Sequence, residues 1–291
     1  MLFNVIGLGE ILWDILPDGR QLGGAPANFA FHARGLGARS RVISRVGPDD
    51  LGREILQRLQ VLGLSTQEIQ IDPSAPTGTV TVELSLDGQP RYTIHENVAW
   101  DCLAVTDSAL AAAAEADAVS FGTLAQRCGV SRHAIQSLLA AIRPGALRIL
   151  DLNLRQHYFS REVIETSLGL ANLLKFNDAE LPVLAELLGL RGGAREQIEQ
   201  LAAKYALRCV CLTRGAHGSL LHSGGQWSDD PSRPVAVKDT IGAGDAFTAA
   251  LALGLLEGRS LDSINLRANQ VARYVCSQEG ATPLLPDFPW E

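Results

Sequence analysis

The sequence predicts an α/β protein: a mostly parallel central sheet between two helical layers, with a small separate β-sheet. Three observations carry that prediction. Short, continuous apolar runs at residues 3–8, 41–46, 118–121, 147–152, 172–176 and 207–212 read as strands buried on both faces. Helical patterns at residues 29–36, 51–62, 131–142 and 261–277 fall between or after them, which is the rhythm of parallel βα units. Residues 79–86 instead alternate strictly, Asp87-Gly88 supplies a turn, and residues 91–95 alternate again, as in a half-buried antiparallel hairpin. At 291 residues the chain suits a single domain over 1–291. The small sheet is expected from residues 69–101, with 21–23 contributing.

Composition narrows the function. Apolar residues make up 46% and charged residues 20%, enough for one large core. A net charge of −7 and the lack of a dense basic run argue against a nucleic-acid surface. A nucleotide can still bind, because backbone amides and a metal ion carry phosphate without a basic patch. Residues 1–16 hold Glu10 and Asp14 and no basic start, unlike a secretory leader, and no apolar run reaches membrane-spanning length. The five scattered cysteines (Cys102, Cys128, Cys209, Cys211, Cys276) read as reduced core thiols. The expectation is a cytoplasmic protein with neither nucleic acid nor membrane as partner.

The most informative stretch is Asp239-Thr240-Ile241-Gly242-Ala243-Gly244-Asp245, between an extended run at 233–237 and a helical run at 246–256. Gly242 and Gly244 permit a tight turn with no side chain over it. The amides of Gly242, Ala243 and Gly244 would then converge at a helix N-terminus, where the dipole favours negative charge. Asp245 sits in that anion trap. A carboxylate beside an anion hole is what phosphoryl transfer to a hydroxyl requires. A glycine turn capped by Asp245 fits the same residues.

Other segments place polar groups at strand ends. Gly7-Leu8-Gly9 follows the first strand, but Leu12 stands where the third glycine of a dinucleotide fingerprint belongs. Asp14 comes next, near the carboxyl edge where open α/β sheets hold ligands. Gly23-Gly24-Ala25-Pro26-Ala27-Asn28 precedes a helix. Its glycines allow a ligand close to the backbone, and Asn28 offers a donor and an acceptor. Asp151-Leu152-Asn153-Leu154-Arg155, Asn177-Asp178-Ala179-Glu180 and Thr213-Arg214-Gly215-Ala216-His217-Gly218 each follow a strand. Surface ion pairing, helix capping and a glycine turn are the plainer readings of these three. No H-E-x-x-H or G-x-S-x-G is present, and none of the three lysines (Lys175, Lys204, Lys238) follows a glycine as a P-loop requires.

Taken together, the Asp239–Asp245 and Gly23–Asn28 motifs resemble the signatures of the ribokinase-like (pfkB-type) carbohydrate kinases. The second resembles the form found in bacterial fructokinases. With the weaker matches between them, the resemblance covers nearly the whole chain. It implies a ribokinase-like three-layer α/β/α sandwich whose small sheet is a lid and often a dimer contact. It implies ATP and magnesium, and a sugar phosphorylated with Asp245 as base and Gly242, Ala243, Gly244 and Arg155 around the transferred phosphate. Asp14, Gly23, Gly24 and Asn28 would hold the sugar. Asn177, Thr213, Gly215, Gly218 and Asn269 would lie on the nucleotide side. Glu180 would face magnesium through water, and Asp239, Ile241 and Gly280 would hold a monovalent cation such as potassium. Leu284 departs from the serine many members carry there. Fructose is the expected acceptor. Other small sugars or sugar acids (2-keto-3-deoxygluconate, ribose, a nucleoside), a non-catalytic sugar sensor and a nicotinamide-dependent oxidoreductase are the rivals.

Overall fold

The first apolar run forms β1 (Asn4–Leu8), the strand about which the rest is arranged in the computed structural model, which describes residues 2–17, 19–84 and 90–286. A hairpin of β2 (Leu12–Leu16) and β3 (Gly19–Gly23) leads to α1 (Ala25–Gly35), β4 (Arg39–Val46), α2 (Asp50–Val61) and β5 (Ile69–Ile71). Next come β6 (Gly78–Leu84) and β7 (Pro90–Ile94), then α3 (Asp107–Glu115), β8 (Ala118–Phe121), α4 (Gly129–Ala140) and β9 (Leu147–Asp151). The chain continues through α5 (Arg161–Leu170), β10 (Leu173–Asn177), α6 (Glu180–Leu188), α7 (Ala194–Lys204) and β11 (Cys209–Thr213). A hairpin, β12 (Ser219–Ser223) and β13 (Gln226–Asp230), precedes the final pair, α8 (Ala243–Leu256) and α9 (Leu261–Cys276).

The large sheet has the order β13-β12-β11-β10-β9-β8-β1-β4-β5. It is parallel from β5 to β11, with β12 and β13 antiparallel at one edge. Strand order reverses at β1, because β4 lies on one side and β8 on the other. Such a switch point opens a crevice beyond the carboxyl ends of the strands. Helices α1, α8 and α9 cover one face around Phe29, Phe247 and Val271, and α3 to α7 cover the other around Ile135, Ile164 and Leu184. Helix α8 is buried from Ala246 to Gly254, which its small apolar residues permit. A β-carbon on Gly254 would stand 2.8 Å from Ile264 Cγ1, so this glycine sets how closely α9 approaches.

The small sheet runs β3-β2-β6-β7. Its membership differs from the expected one. Residues 69–71 pair with β4 at the edge of the large sheet, while residues 12–16 join the small sheet through β3 and β6. Asp14 therefore lies on a small-sheet strand rather than in a loop. The expected Asp87-Gly88 turn lies outside the described residues. Residues 233–237 form no strand. Pro231 and Pro234 remove two ladder donors around that stretch. The five cysteines are free, but only Cys209 and Cys211 are core residues; the other three are half-buried.

Asp49 joins the two sheets. Its carboxylate accepts from Gly52 N at 2.8 Å, capping α2, and from Thr77 N at 2.8 Å and Thr77 Oγ1 at 2.6 Å, just before β6. Burial opposes its charge, but these bonds outweigh burial and hold the carboxyl below the ordinary aspartate range. Asp49→Ala should cost about 1–3 kcal/mol, read as a lower urea midpoint with an unchanged slope. Because the folded-state pKa is depressed, this contribution is present at neutral pH and lost as pH falls below about 4.

Candidate active site

Two helices begin at the carboxyl edge of the sheet and meet there. Asn28, in the first turns of α1, is 4% exposed and donates from Nδ2 to Asp245 Oδ2 at 2.9 Å. Asp245 lies in the first turn of α8. Expected to face the sugar, Asn28 thus spends one of its two Nδ2 hydrogens on this carboxylate. Gly242 is the N-cap of α8, with φ 78°, and a β-carbon there would meet the Ala281 carbonyl oxygen at 2.3 Å. Only glycine fits both conditions.

The anion trap differs from the expected one in a single member. Ala243 N–H is drawn to the Thr240 carbonyl at 3.3 Å, closing a turn. Among the described residues the amides of Gly242, Gly244 and Asp245 have no such partner, so the open donors sit one position further along.

Charges gather around Asp245. Burial and the nearby Asp151 carboxylate raise its pKa to about 7, against the opposing pull of Asn28, Lys175 and Arg155. Arg155, exposed in the loop after β9, also bears electrostatically on Asp14 and Glu10. Among the described residues its guanidinium has no ion-pair partner. Asp14, on β2, is raised to about 6 by burial, with Arg155 opposing. A β-carbon on Gly23 would strike Asp14 Oδ2 at 2.4 Å, and one on Gly24 would strike the Glu10 carbonyl oxygen at 2.6 Å. These glycines clear space for the protein's own groups, where the sequence suggests clearance for a ligand.

A neighbouring group of strand ends lies at the same carboxyl edge of the sheet. Asn177 and Thr213 are register partners at the ends of β10 and β11. Asn177 Oδ1 accepts from Glu180 N at 2.9 Å, while Glu180 Oε2 accepts from Asn177 N at 2.8 Å and Oε1 from Leu154 N at 2.7 Å. Glu180 is 6% exposed, and burial raises its pKa. Each of its oxygens keeps one lone pair beyond these bonds. Gly215 (φ 54°) and Gly218 (φ 77°) shape the turn after Thr213. A β-carbon on Gly218 would sit 1.9 Å from the Asp230 carbonyl oxygen. Asn269, expected on the nucleotide side, lies on α9. It is 6% exposed, and Nδ2 donates within the protein to Ser219 Oγ at 2.7 Å and Asp230 Oδ2 at 3.0 Å. That side chain ties α9 to β12.

Asp239 draws the expected cation loop together. Its Oδ1 accepts from Ile241 N and its Oδ2 from Gly280 N, both at 3.0 Å. His32 of α1 reaches the same loop, with Nε2 2.9 Å from the Ala281 carbonyl oxygen. Among the described residues no cluster of three or more His, Cys, Asp or Glu forms a metal site.

Sequence reading missed Glu10, Asp151, Lys175 and Thr248. Glu10 is 3% exposed and its Oε2 has no partner; burial raises its pKa to about 7. Asp151 opens the Asp151–Arg155 motif without a role of its own and Glu10 follows Gly7-Leu8-Gly9; a carboxylate after an apolar strand is the signal that could have found their place in the site.

Fold and site together define a phosphotransferase acting on an alcohol group. Residues 19–287 match the model of the pfkB family carbohydrate kinases, and the chain belongs to that family. A fructokinase of Klebsiella pneumoniae is 32% identical over 85% of this chain and 83% of its own. An uncharacterized sugar kinase from Pyrococcus horikoshii, solved with ATP, superposes with a TM-score of 0.80 at 29% identity, covering 97% of this chain and 94% of its own. A fructokinase from Vibrio cholerae O395, solved with fructose, ADP and calcium, gives 0.79 at 26% identity over 98% and 96%.

Gly242→Ala should force the turn to shift, lowering the melting temperature while the fold persists, and should lower kcat roughly a hundredfold or more, because moving one preorganised donor costs about 2.7–4 kcal/mol. Steady-state rates beside a thermal melt check this.

Proposed function

We propose that this carbohydrate kinase converts D-fructose and ATP to D-fructose 6-phosphate and ADP. The observation that carries the mechanism is the Asp245 carboxylate, held at 2.9 Å by Asn28 at the mouth of the α8 amides. Asp14 and the outer face of the Gly23–Asn28 turn bind sugar hydroxyls, and the hydroxyl to be phosphorylated faces Asp245. As its oxygen bonds to the γ-phosphorus, the proton passes to Asp245, the bond from phosphorus to the bridging oxygen breaks, and ADP leaves. The amides of Gly242 and Gly244 and the Arg155 guanidinium face the charge spread over the phosphoryl oxygens. Asn177 and the Thr213–Gly218 turn border the remaining phosphates.

Asn177 and Glu180 would hold magnesium through water, and when bound that ion neutralises charge shared between β- and γ-phosphates. Asp239, with the backbone at Ile241 and Gly280, would hold potassium. The small sheet serves as a lid that excludes water, and its edge strand β7, with Tyr92 52% exposed, would meet a second copy in a homodimer. Free cysteines fit a reducing cytoplasm. Fructose is favoured over 2-keto-3-deoxygluconate, ribose or a nucleoside by the named fructokinase relatives.

A sugar panel read by ADP release tests the acceptor: fructose should give the highest kcat/KM, and a higher value for another sugar would replace it. Asp245→Asn should bind sugar and ATP yet lose about a hundredfold or more in turnover. Since the base must be charged and its pKa is raised to about 7, kcat/KM should fall as pH drops through 7. A profile flat to pH 5 would remove Asp245 from that role.

A further inference from the structure

A buried ion pair lies beneath the Gly242–Asp245 turn, and the reaction as described leaves it without a task. Lys175 of β10 places Nζ 3.0 and 3.2 Å from the two carboxylate oxygens of Asp151, at the end of β9. Both side chains are less than one-tenth exposed, at 9% and 8%. Thr248, one turn into α8, sets Oγ1 2.9 Å from Asp151 Oδ2 and also 2.9 Å from the Gly244 carbonyl oxygen. A β-carbon on Gly244 would stand 3.1 Å from Lys175 Nζ, so the ammonium packs against the turn from below. The lysine, the aspartate and the threonine thus join β10, β9 and α8 under the open amides.

Stability is a poor reason for this arrangement. Desolvating two charges generally costs as much as their attraction returns, and apolar residues of equal volume would hold α8 as well. Position is the better reason. The Asp151 carboxylate acts electrostatically on Asp245 and, alone, would oppose a second negative charge there. Lys175 offsets it. Around Asp245 stand Asn28 from α1, Glu10 after β1, Asp151 from β9, Arg155 from the following loop and Lys175 from β10.

We propose that Lys175, clamped by Asp151, is a positioning residue of the phosphoryl-transfer corner: its ammonium shapes the Gly244 turn and keeps the Asp245 carboxyl free to take a proton. This rests on the reading of Asp245 as base. Two opposed substitutions separate an electrostatic role from a merely structural one. Lys175→Met leaves Asp151 uncompensated and should move the acidic limb of the kcat/KM profile upward by about one pH unit. Asp151→Asn removes the opposing charge and should move it downward. The double variant, Lys175→Met with Asp151→Asn, holds no unpaired buried charge and should return the limb toward wild type.

The measurement is ADP release against pH, with the sugar of highest kcat/KM as acceptor. Opposite displacements support the proposal. Limbs that stay in place, or move the same way in both single variants, overturn it. Should Lys175→Met fail to fold, the limb of Asp151→Asn must still lie below that of the double variant; coincident limbs overturn the proposal. Asp245→Asn is the parallel control. If that variant is nearly inactive while the limbs stay fixed, only the role of Lys175 falls; if it turns over normally, the reading of Asp245 falls as well.

Discussion

The bond from Asn28 to Asp245 is the constraint on which the site depends. It joins helices whose residues lie 217 positions apart in sequence, and it can form only if α1 and α8 start side by side at one edge of the sheet. That condition fixes much else. Helix α8 must run through the core, so it is built of alanine, leucine and glycine, with Ala246 to Gly254 buried. Its N-cap must emerge beside the Ala281 carbonyl, which leaves room for glycine alone at 242. The Ala281 carbonyl is in turn held by His32, one turn beyond Asn28 on the same helix. Helix α1 therefore grips both the carboxylate and the loop behind it.

The cleft is unusual in its charge. Glu10, Asp14, Asp151, Glu180 and Asp245 face Arg155 and Lys175, an acidic surplus where a triphosphate is to arrive. Burial answers part of this by raising the pKa values of Glu10 and Asp245 to about 7 and of Asp14 to about 6. Carboxyls so poised hold part of their protons near neutrality, which lessens repulsion. The same poise suits a base that must take a proton in one step and release it afterwards. Open backbone amides complete the balance without adding a counterion that would permanently neutralise Asp245.

The central features of this fold were legible because they obey period and punctuation. Residues 118–121 are a strand with the predicted bounds, and 147–152 and 261–277 differ from their elements by one residue at the end. The hairpin β12–β13 was missed although Gly224-Gly225 marks its turn, since Ser219–Ser223 is too short and too polar to stand out. Legibility of the site split along another line. Glycines and the acid of a motif announce themselves in sequence, as Gly242 and Asp245 do. What a side chain spends its hydrogen bonds on does not. Nothing around Asn269 in the sequence announced that its Nδ2 would donate to Ser219 and Asp230. Asn28 seemed free for a ligand and proved to hold Asp245. Long-range pairing of polar atoms leaves no periodic trace.

The division of labour between the two sheets follows from the same geometry. Asp14 rides on β2, and the only chain between β2 and the large sheet is the short link from β1; β3 returns directly into Gly24 and α1. The links on either side of the β2–β3 hairpin carry glycines in backbone conformations side chains avoid, Gly9 at φ 146° and Gly24 at φ 112°. A sugar held by Asp14, as proposed, would thereby be held by the small sheet, while the amides proposed to face phosphate belong to α8, packed on the large one. The acceptor hydroxyl and the phosphoryl group are brought to one point only when the two sheets hold a fixed relation. The contact proposed between Asp14 of β2 and the sugar is therefore better used in orienting that hydroxyl than in tightening sugar affinity, because orientation lowers the barrier whereas uniform affinity does not.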